Sequence, residues 1–305
     1  MRHGTPIKVL AALLILNALA VVPAIAETTL EKVARTATIT LGVREGSYPL
    51  SYALPGPEYV GYHLDICRNI AQATANKLGL AKIKLDYVPV TSSNRIPMTV
   101  EGRIDLECGS TTNNSDRQAQ VAFAPTTFVT AVRVAVRKDS GIRSLAGLMD
   151  NTVVTTKGST SVQLLRARIN AAGGRIHQVF GEDHAQSFKI LEQGQAAAFV
   201  MDDNLLAGLI ALSPDPDAYE MVGPSISIEP IAIMLRKDDP EFKALVDDSV
   251  RDMMRRGEVA KLYDKWFRSP IPPKGINLDL PMSAFLRQMI LYPNDDPAES
   301  FQAPE

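Results

Sequence analysis

Apolar residues recur along this chain in two alternating rhythms. Short runs such as Ile39-Thr40-Leu41-Gly42-Val43 have the length and β-branched content of buried strands. Stripes at spacings of three and four, such as Cys67, Ile70, Ala71, Thr74 and Leu78, mark helices with one apolar face. The pattern predicts strands over 39–43, 83–88, 105–108, 132–136, 152–155, 175–180, 197–201 and 231–235. It predicts helices over 64–78, 95–100, 144–148, 161–171, 185–192, 205–212 and 240–266, the last opened by Asp239-Pro240-Glu241 with a cap residue and a first-turn proline. This alternation reads as α/β sheets joined by crossover helices.

No repeat or low-complexity linker divides the chain. The domain crossings are instead expected in two extended stretches, Thr126-Thr127-Phe128-Val129-Thr130 and Gly223-Pro224-Ser225-Ile226-Ser227-Ile228. Two crossings imply a discontinuous first lobe, 27–128 with 227–305, and a continuous second lobe, 129–226. The first 26 residues have a different order: Arg2 and Lys8, an apolar run through Leu13-Leu14-Ile15-Leu16, and Ala24-Ile25-Ala26 before Glu27. That is the layout of a secretory signal peptide cleaved near Ala26; a retained membrane anchor is the alternative, against which Asn17 and Pro23 interrupt the run.

Export changes how the rest is read. Removing residues 1–26 takes two of the 32 basic residues and none of the 34 acidic ones, leaving 30 against 34, a slightly acidic chain with no nucleic-acid footprint. Cys67 and Cys108 are the only cysteines. An oxidising compartment permits a bridge between them, and two buried thiols are an equal alternative. The four histidines, at 3, 63, 177 and 184, are too scattered for a metal cluster, and no cofactor motif is present.

In a two-lobed α/β protein the ligand site is built from loops at the carboxyl ends of strands. Arg44 follows the first predicted strand, Ser92 and Arg95 the second, and Ser110, Thr112 and Arg117 the third. The second lobe adds Ser159 and Thr160 in a Gly-Ser-Thr-Ser run, then Asp183-His184, then Asp202. Arginine's planar fork matches a carboxylate bidentately, so three arginines at such loops point to an anionic ligand, although any one alone also reads as a solvated charge. The hydroxyl run also reads as simple helix capping, and Asp202 as either a partner for a ligand ammonium or a helix cap. No catalytic set accompanies them; His184 beside Asp183 is the only acid–base candidate.

Several of these runs together resemble a known family. They are Gly42-Val43-Arg44-Glu45, Val60-Gly61-Tyr62 with Asp65, Thr91-Ser92-Ser93-Asn94-Arg95-Ile96-Pro97, Glu107-Cys108-Gly109-Ser110-Thr111-Thr112-Asn113-Asn114, Met201-Asp202-Asp203, and Trp266-Phe267 through Ile271-Pro272-Pro273-Lys274. They resemble the glutamate/aspartate periplasmic binding proteins of ABC transporters, and the likeness extends from about Thr29 to Asn294. The resemblance implies a type II periplasmic binding fold, two α/β lobes joined by two hinge crossings, with one ligand per cleft and no chemistry on it. It implies that Arg117 clamps the ligand α-carboxylate with Ser110, Thr112 and Thr160, near Ser159. It further implies that Asp202 takes the α-ammonium and that Arg44, Arg95, His184 and Ser92 hold the side-chain carboxylate. The expected partners are an acidic amino acid and the membrane permease subunits of an ABC transporter, with the protein a periplasmic monomer. An enzyme on the same scaffold, such as a cyclic amino acid dehydratase, and a ligand-sensing module are the competing readings. The tail after Asn294 departs from the family pattern.

Overall fold

The computed structural model describes Met1 and residues 27–301, so apart from Met1 the expected leader lies outside the described residues. Thirteen strands are described: β1 (Thr38–Val43), β2 (Gly46–Ser47), β3 (Ser51–Ala53), β4 (Tyr59–Val60), β5 (Lys84–Pro89), β6 (Leu106–Glu107), β7 (Val121–Phe123), β8 (Phe128–Arg137), β9 (Thr152–Thr156), β10 (His177–Gly181), β11 (Ala198–Asp202), β12 (Tyr219–Ile231) and β13 (Met234–Arg236). The helices are α1 (Thr29–Thr36), α2 (Tyr62–Lys77), α3 (Arg95–Val100), α4 (Ser115–Gln118), α5 (Ser161–Ala171), α6 (His184–Glu192), α7 (Asp203–Leu212), α8 (Pro240–Arg255), α9 (Glu258–Phe267) and α10 (Ala284–Leu291).

The strands assemble into two five-stranded sheets of one plan. The first runs β5-β1-β6-β13-β7 and the second β10-β9-β11-β8-β12. In each, three parallel strands continue at one edge into two more, each paired antiparallel to its neighbour. Parallel strands need helical crossovers, and helices on both faces bury them, which explains why β1 alternates little and keeps Leu41, Gly42 and Val43 all inside. β8 leaves the first lobe and β12 returns to it, pairing antiparallel from Phe128↔Ile231 to Arg137↔Tyr219 with an irregularity between Val222 and Ser227.

Several expectations are corrected. The strand read at 132–136 is ten residues long, because the crossing before it is already part of β8. The second crossing likewise lies within β12, and the strand read at 231–235 is shorter and begins at Met234. The helix read over 240–266 is two helices, separated at Gly257 with φ 71°, a left-handed turn that ends α8 although the apolar stripe continues. The segment 144–148 is a 3₁₀ turn, Leu145–Leu148. The helix α1, the strand β7 and the small sheet β2-β3-β4 were not expected from the pattern.

The core fixes the hinge to the first lobe. Phe128, the first residue of β8, stacks on Phe267 of α9 at 4.9 Å, and Phe267 stacks on Tyr263 at 4.5 Å. The Tyr62 hydroxyl donates to the Thr127 carbonyl at 2.8 Å. Such aromatic pairs add to the area they bury, so the crossing leaves from a rigid anchor. The cysteines resolve to a bridge: Cys67 on α2 is joined to Cys108, which directly follows β6, across 41 positions of chain. It ties the loop beginning at Gly109 to the helix behind it. Replacing both cysteines with alanine is expected to lower unfolding free energy by about 3–4 kcal/mol, the closure entropy of such a loop. Urea unfolding of the wild type with and without reductant should show the same loss, and equal midpoints would mean that packing alone holds the loop.

Candidate functional site

The carboxyl ends of the two parallel sets face one another, and the loops that follow them meet. Ser93 Oγ donates to the Lys157 carbonyl at 3.2 Å, and Arg117 Nη2 donates to the Gly158 carbonyl at 3.4 Å. Gly158 has φ +77°, and a Cβ there would stand 2.7 Å from the Ser92 carbonyl oxygen. Only glycine permits both the left-handed turn and this approach.

Three arginines lie inside the closed cleft: Arg44 is 1% exposed, Arg95 2% and Arg117 7%. Among the described residues none has a carboxylate oxygen within 4.0 Å. Their protein partners are neutral. Arg44 donates to Ser92 Oγ at 2.9 Å and to Ser110 Oγ at 3.3 Å, with Ser47 Oγ a further 3.1 Å from Ser110 Oγ. Arg95 donates to the Ser110 carbonyl at 3.2 Å, while its Nε is buried without a partner. Arg117 donates to the Thr112 carbonyl at 2.8 Å. Burial pushes Arg44 down to about 10 and Arg117 down to about 9, with Arg95 adding to both, and burial lowers Arg95 too. Arginine is not deprotonated in proteins, so all three are cations.

The opposite sign is present at longer range. Asp202 ends β11 at 1% exposure, and its Oδ1 is buried without a hydrogen-bond partner. It makes no side-chain cap on α7, which removes the capping alternative. Burial holds its carboxyl well above the usual range; Glu229 and Asp203 push the same way, while Arg95 and Arg117 oppose them. A cation brought to Oδ1 would favour the charged form. Glu107 and Glu229, both buried, were missed by sequence reasoning. Glu107 takes the Thr111 hydroxyl at 2.7 Å, and Glu229 takes Thr160 Oγ1 at 3.0 Å and Ser227 Oγ at 2.7 Å. Glu107 stands inside a run that the family resemblance had already singled out, whereas Glu229 lies in β12 directly after the second crossing, where no periodicity marks it.

The hydroxyl run at the start of α5 does not cap that helix: Thr160, the cap residue, makes no side-chain cap bond. Ser159 turns its hydroxyl to the Thr156 carbonyl at 2.7 Å, so its proton is used within its own turn. His184 is 1% exposed and lies against Arg44, with Nε2 3.3 Å from Arg44 Nη2. Arginine only donates, so this nitrogen is the acceptor and its lone pair is engaged. It is therefore not free to take a proton from a substrate, which weighs against the enzyme reading. Burial, with Arg44 and Arg95, holds His184 well below its ordinary value. Thus Arg44, Ser92, Arg95, Ser110 and His184 form one contact group, and Arg117 links the carbonyls of Thr112 and Gly158, the latter beside Ser159 and Thr160. Among the described residues no group of three or more His, Cys, Asp or Glu could hold a metal ion.

Residues 39–269 match the family described as bacterial extracellular solute-binding proteins, family 3. The chain is 42% identical over 270 residues to the glutamate/aspartate import solute-binding protein of Escherichia coli, covering 88% of this chain and 89% of that protein. It is 43% identical over 272 residues to the L-glutamate/L-aspartate-binding protein of Pseudomonas aeruginosa, covering 89% and 90%. Among solved structures it is similar to an ancestral amino acid-binding protein that is a precursor of cyclohexadienyl dehydratase, with a TM-score of 0.68, 26% identity, and coverage of 78% of this chain and 99% of that one.

His63, on α2, is fully buried between the Gly109 carbonyl and Thr127 Oγ1, and burial pushes it down to about 4 from 6.5. The unfolded chain binds this proton near pH 6.5 and the folded chain only near 4. The stability that neutral His63 confers is therefore complete above the upper value and lost as pH falls to the lower, by up to about 3 kcal/mol. Asp202, with its raised value, acts in the opposite sense. Urea unfolding across this range should show a shallower acid loss in His63→Gln than in the wild type, and parallel curves would contradict the assignment.

Proposed function

The chain belongs to family 3 of the bacterial extracellular solute-binding proteins, and from that premise we propose that it captures glutamate or aspartate outside the cytoplasmic membrane and hands it to an ABC importer. Its role is binding, not turnover. The observation that carries the ligand class is the set of three buried arginines with, among the described residues, no carboxylate within 4.0 Å, set beside Asp202, whose buried Oδ1 has no hydrogen-bond partner. Three buried cations, and a buried carboxyl that a cation brought to Oδ1 would ionise, suit a ligand with two carboxylates and one ammonium. Uncompensated buried charge is costly, and an acidic amino acid offsets it at each point.

In this reading Arg117 takes the α-carboxylate, assisted by Ser110, Thr112 and the backbone N–H of Thr160, whose hydroxyl proton is on Glu229, and Asp202 takes the α-ammonium. Arg44 and Arg95, with Ser92, take the side-chain carboxylate, and His184 contributes through Arg44. Ser159 serves the turn more than the ligand. The lobes 27–128 with 227–305 and 129–226 close about the two crossings, and a ligand that touches both favours closure by the difference in its contacts with the two states. The names of the relatives, a glutamate/aspartate import solute-binding protein and an L-glutamate/L-aspartate-binding protein, support the same reading. The protein is exported to the periplasm, its leader removed near Ala26, and acts as a monomer that docks on permease subunits.

Isothermal titration of ligand-stripped protein with glutamate, aspartate, glutamine, asparagine and a neutral control tests this. Tight binding is expected for the two acids alone; heat with neutral amino acids only would overturn the ligand class. Arg117→Ala and Asp202→Ala are each expected to cost at least ~2 kcal/mol, about 30-fold in affinity, because a buried ligand charge loses its partner. Arg44→Met should weaken glutamate binding much more than any residual glutamine binding, a ratio read from the same titrations.

A further inference from the structure

The polar contacts behind His184 form a chain whose direction is fixed at both ends. Arg44 Nη2 lies 3.3 Å from His184 Nε2, His184 Nδ1 2.9 Å from Thr156 Oγ1, Thr156 Oγ1 2.9 Å from Ser187 Oγ, and Ser187 Oγ 2.8 Å from the Asp183 carbonyl oxygen. The first group is only a donor and the last only an acceptor. Each hydroxyl has one proton to give. Ser187 gives its proton to the carbonyl, so Thr156 gives its proton to Ser187, and Thr156 must then accept from Nδ1–H. Nε2 is left bare to accept from Arg44. This is the one assignment that satisfies all four bonds, and tautomers are set by such networks.

Every side chain in the chain is buried, with Thr156 and Ser187 both at 0% exposure, so water does not compete for the protons. Thr156 ends β9, and Ser187 lies in the first turn of α6, whose amino end Asp183 caps at Gln186 N. The chain thus fastens the ring to the frame of the second lobe. Its far end is a guanidinium that belongs to the first.

We propose that Thr156 and Ser187 are positioning residues for ligand capture: they hold His184 as the Nδ1–H tautomer, so that its Nε2 lone pair receives Arg44 across the cleft as the lobes close. With the proton on Nε2, the same approach would set N–H against N–H. The inference rests on the acidic amino acid reading for its affinity test, although the tautomer can be observed without any ligand.

The experiment is nitrogen NMR of protein labelled with ¹⁵N-histidine, with His184→Ala identifying the signal, run beside glutamate titrations of Thr156→Val, Thr156→Ser and Ser187→Ala. In the wild type Nε2 is expected to be unprotonated at neutral pH. Thr156→Val keeps the shape and removes the acceptor; it should change the tautomer signature and weaken glutamate binding about tenfold, the loss of one buried hydrogen bond to a charge-bearing network. Thr156→Ser should restore both, and Ser187→Ala should fall between. A protonated Nε2 in the wild type, or a Thr156→Val protein with unchanged glutamate affinity, overturns the proposal. If wild-type protein binds no acidic amino acid, the ligand reading fails, while the tautomer still decides the relay.

Discussion

Three guanidinium groups shut away from water, with no carboxylate within 4.0 Å among the described residues, are the constraint around which the rest of this molecule is arranged. Burying one unpaired charge costs several kcal/mol, more than most single contacts return. The protein spreads that cost. Carboxylates at Glu107, Asp202 and Glu229 raise the arginine values from a distance. Gly109 leaves room for the Arg44 stem, since a Cβ there would come within 2.7 Å of Arg44 Cγ. Serine hydroxyls and backbone carbonyls take individual N–H groups. What remains without a partner includes Arg95 Nε on the positive side and Asp202 Oδ1 and Glu107 Oε1 on the negative.

The loops carrying these groups are held by contacts from far along the sequence. The bridge from Cys67 fixes the start of the Gly109 loop, and His63 accepts and donates on either side of it. Beyond Asn113 the chain end takes over: Asn113 Nδ2 donates to the Asp295 carbonyl at 2.8 Å, Ala298 N donates to the Asn113 carbonyl at 2.9 Å, and Ser115 Oγ donates to Glu299 at 3.0 Å. The tail that stood out as a departure from the family pattern therefore braces the loop between Thr112 and Arg117. Site geometry of this kind needs support on every side, because a binding group is only as fixed as the residues behind it.

What the sequence made legible follows from how local each signal is. The helices at 95–100 and 161–171 agree to the residue with α3 and α5, since an apolar stripe and its end signals lie within one short window. The arginines after predicted strands fell where the topology brings them together, because parallel strands deliver their carboxyl ends to one edge. The two-residue strands β2 and β4 are set by their pairing with β3 rather than by periodicity. Gly257 hid inside a continuous stripe, as a left-handed turn changes direction without changing hydropathy. The choice between thiols and a bridge depended on a Cα separation of 6.1 Å that no spacing encodes. The hydroxyls at 159–160 looked like helix caps and proved to be spent elsewhere.

The same charge arrangement sets what the cleft rejects. A neutral amino acid offers one carboxylate and one ammonium, enough for Arg117 and Asp202 but not for Arg44 and Arg95. Closing on it would bury two guanidinium groups with their charge still uncompensated. An amide in place of the side-chain carboxylate is worse than its shape suggests, because its NH₂ would turn donors toward donors. Discrimination by an unpaired buried group is large, whereas discrimination by size alone amounts to about 1–3 kcal/mol per methylene. Glutamate and aspartate differ by one methylene and share all three charges. A cleft selective by charge in this way should therefore separate acids from amides far more sharply than one acid from the other.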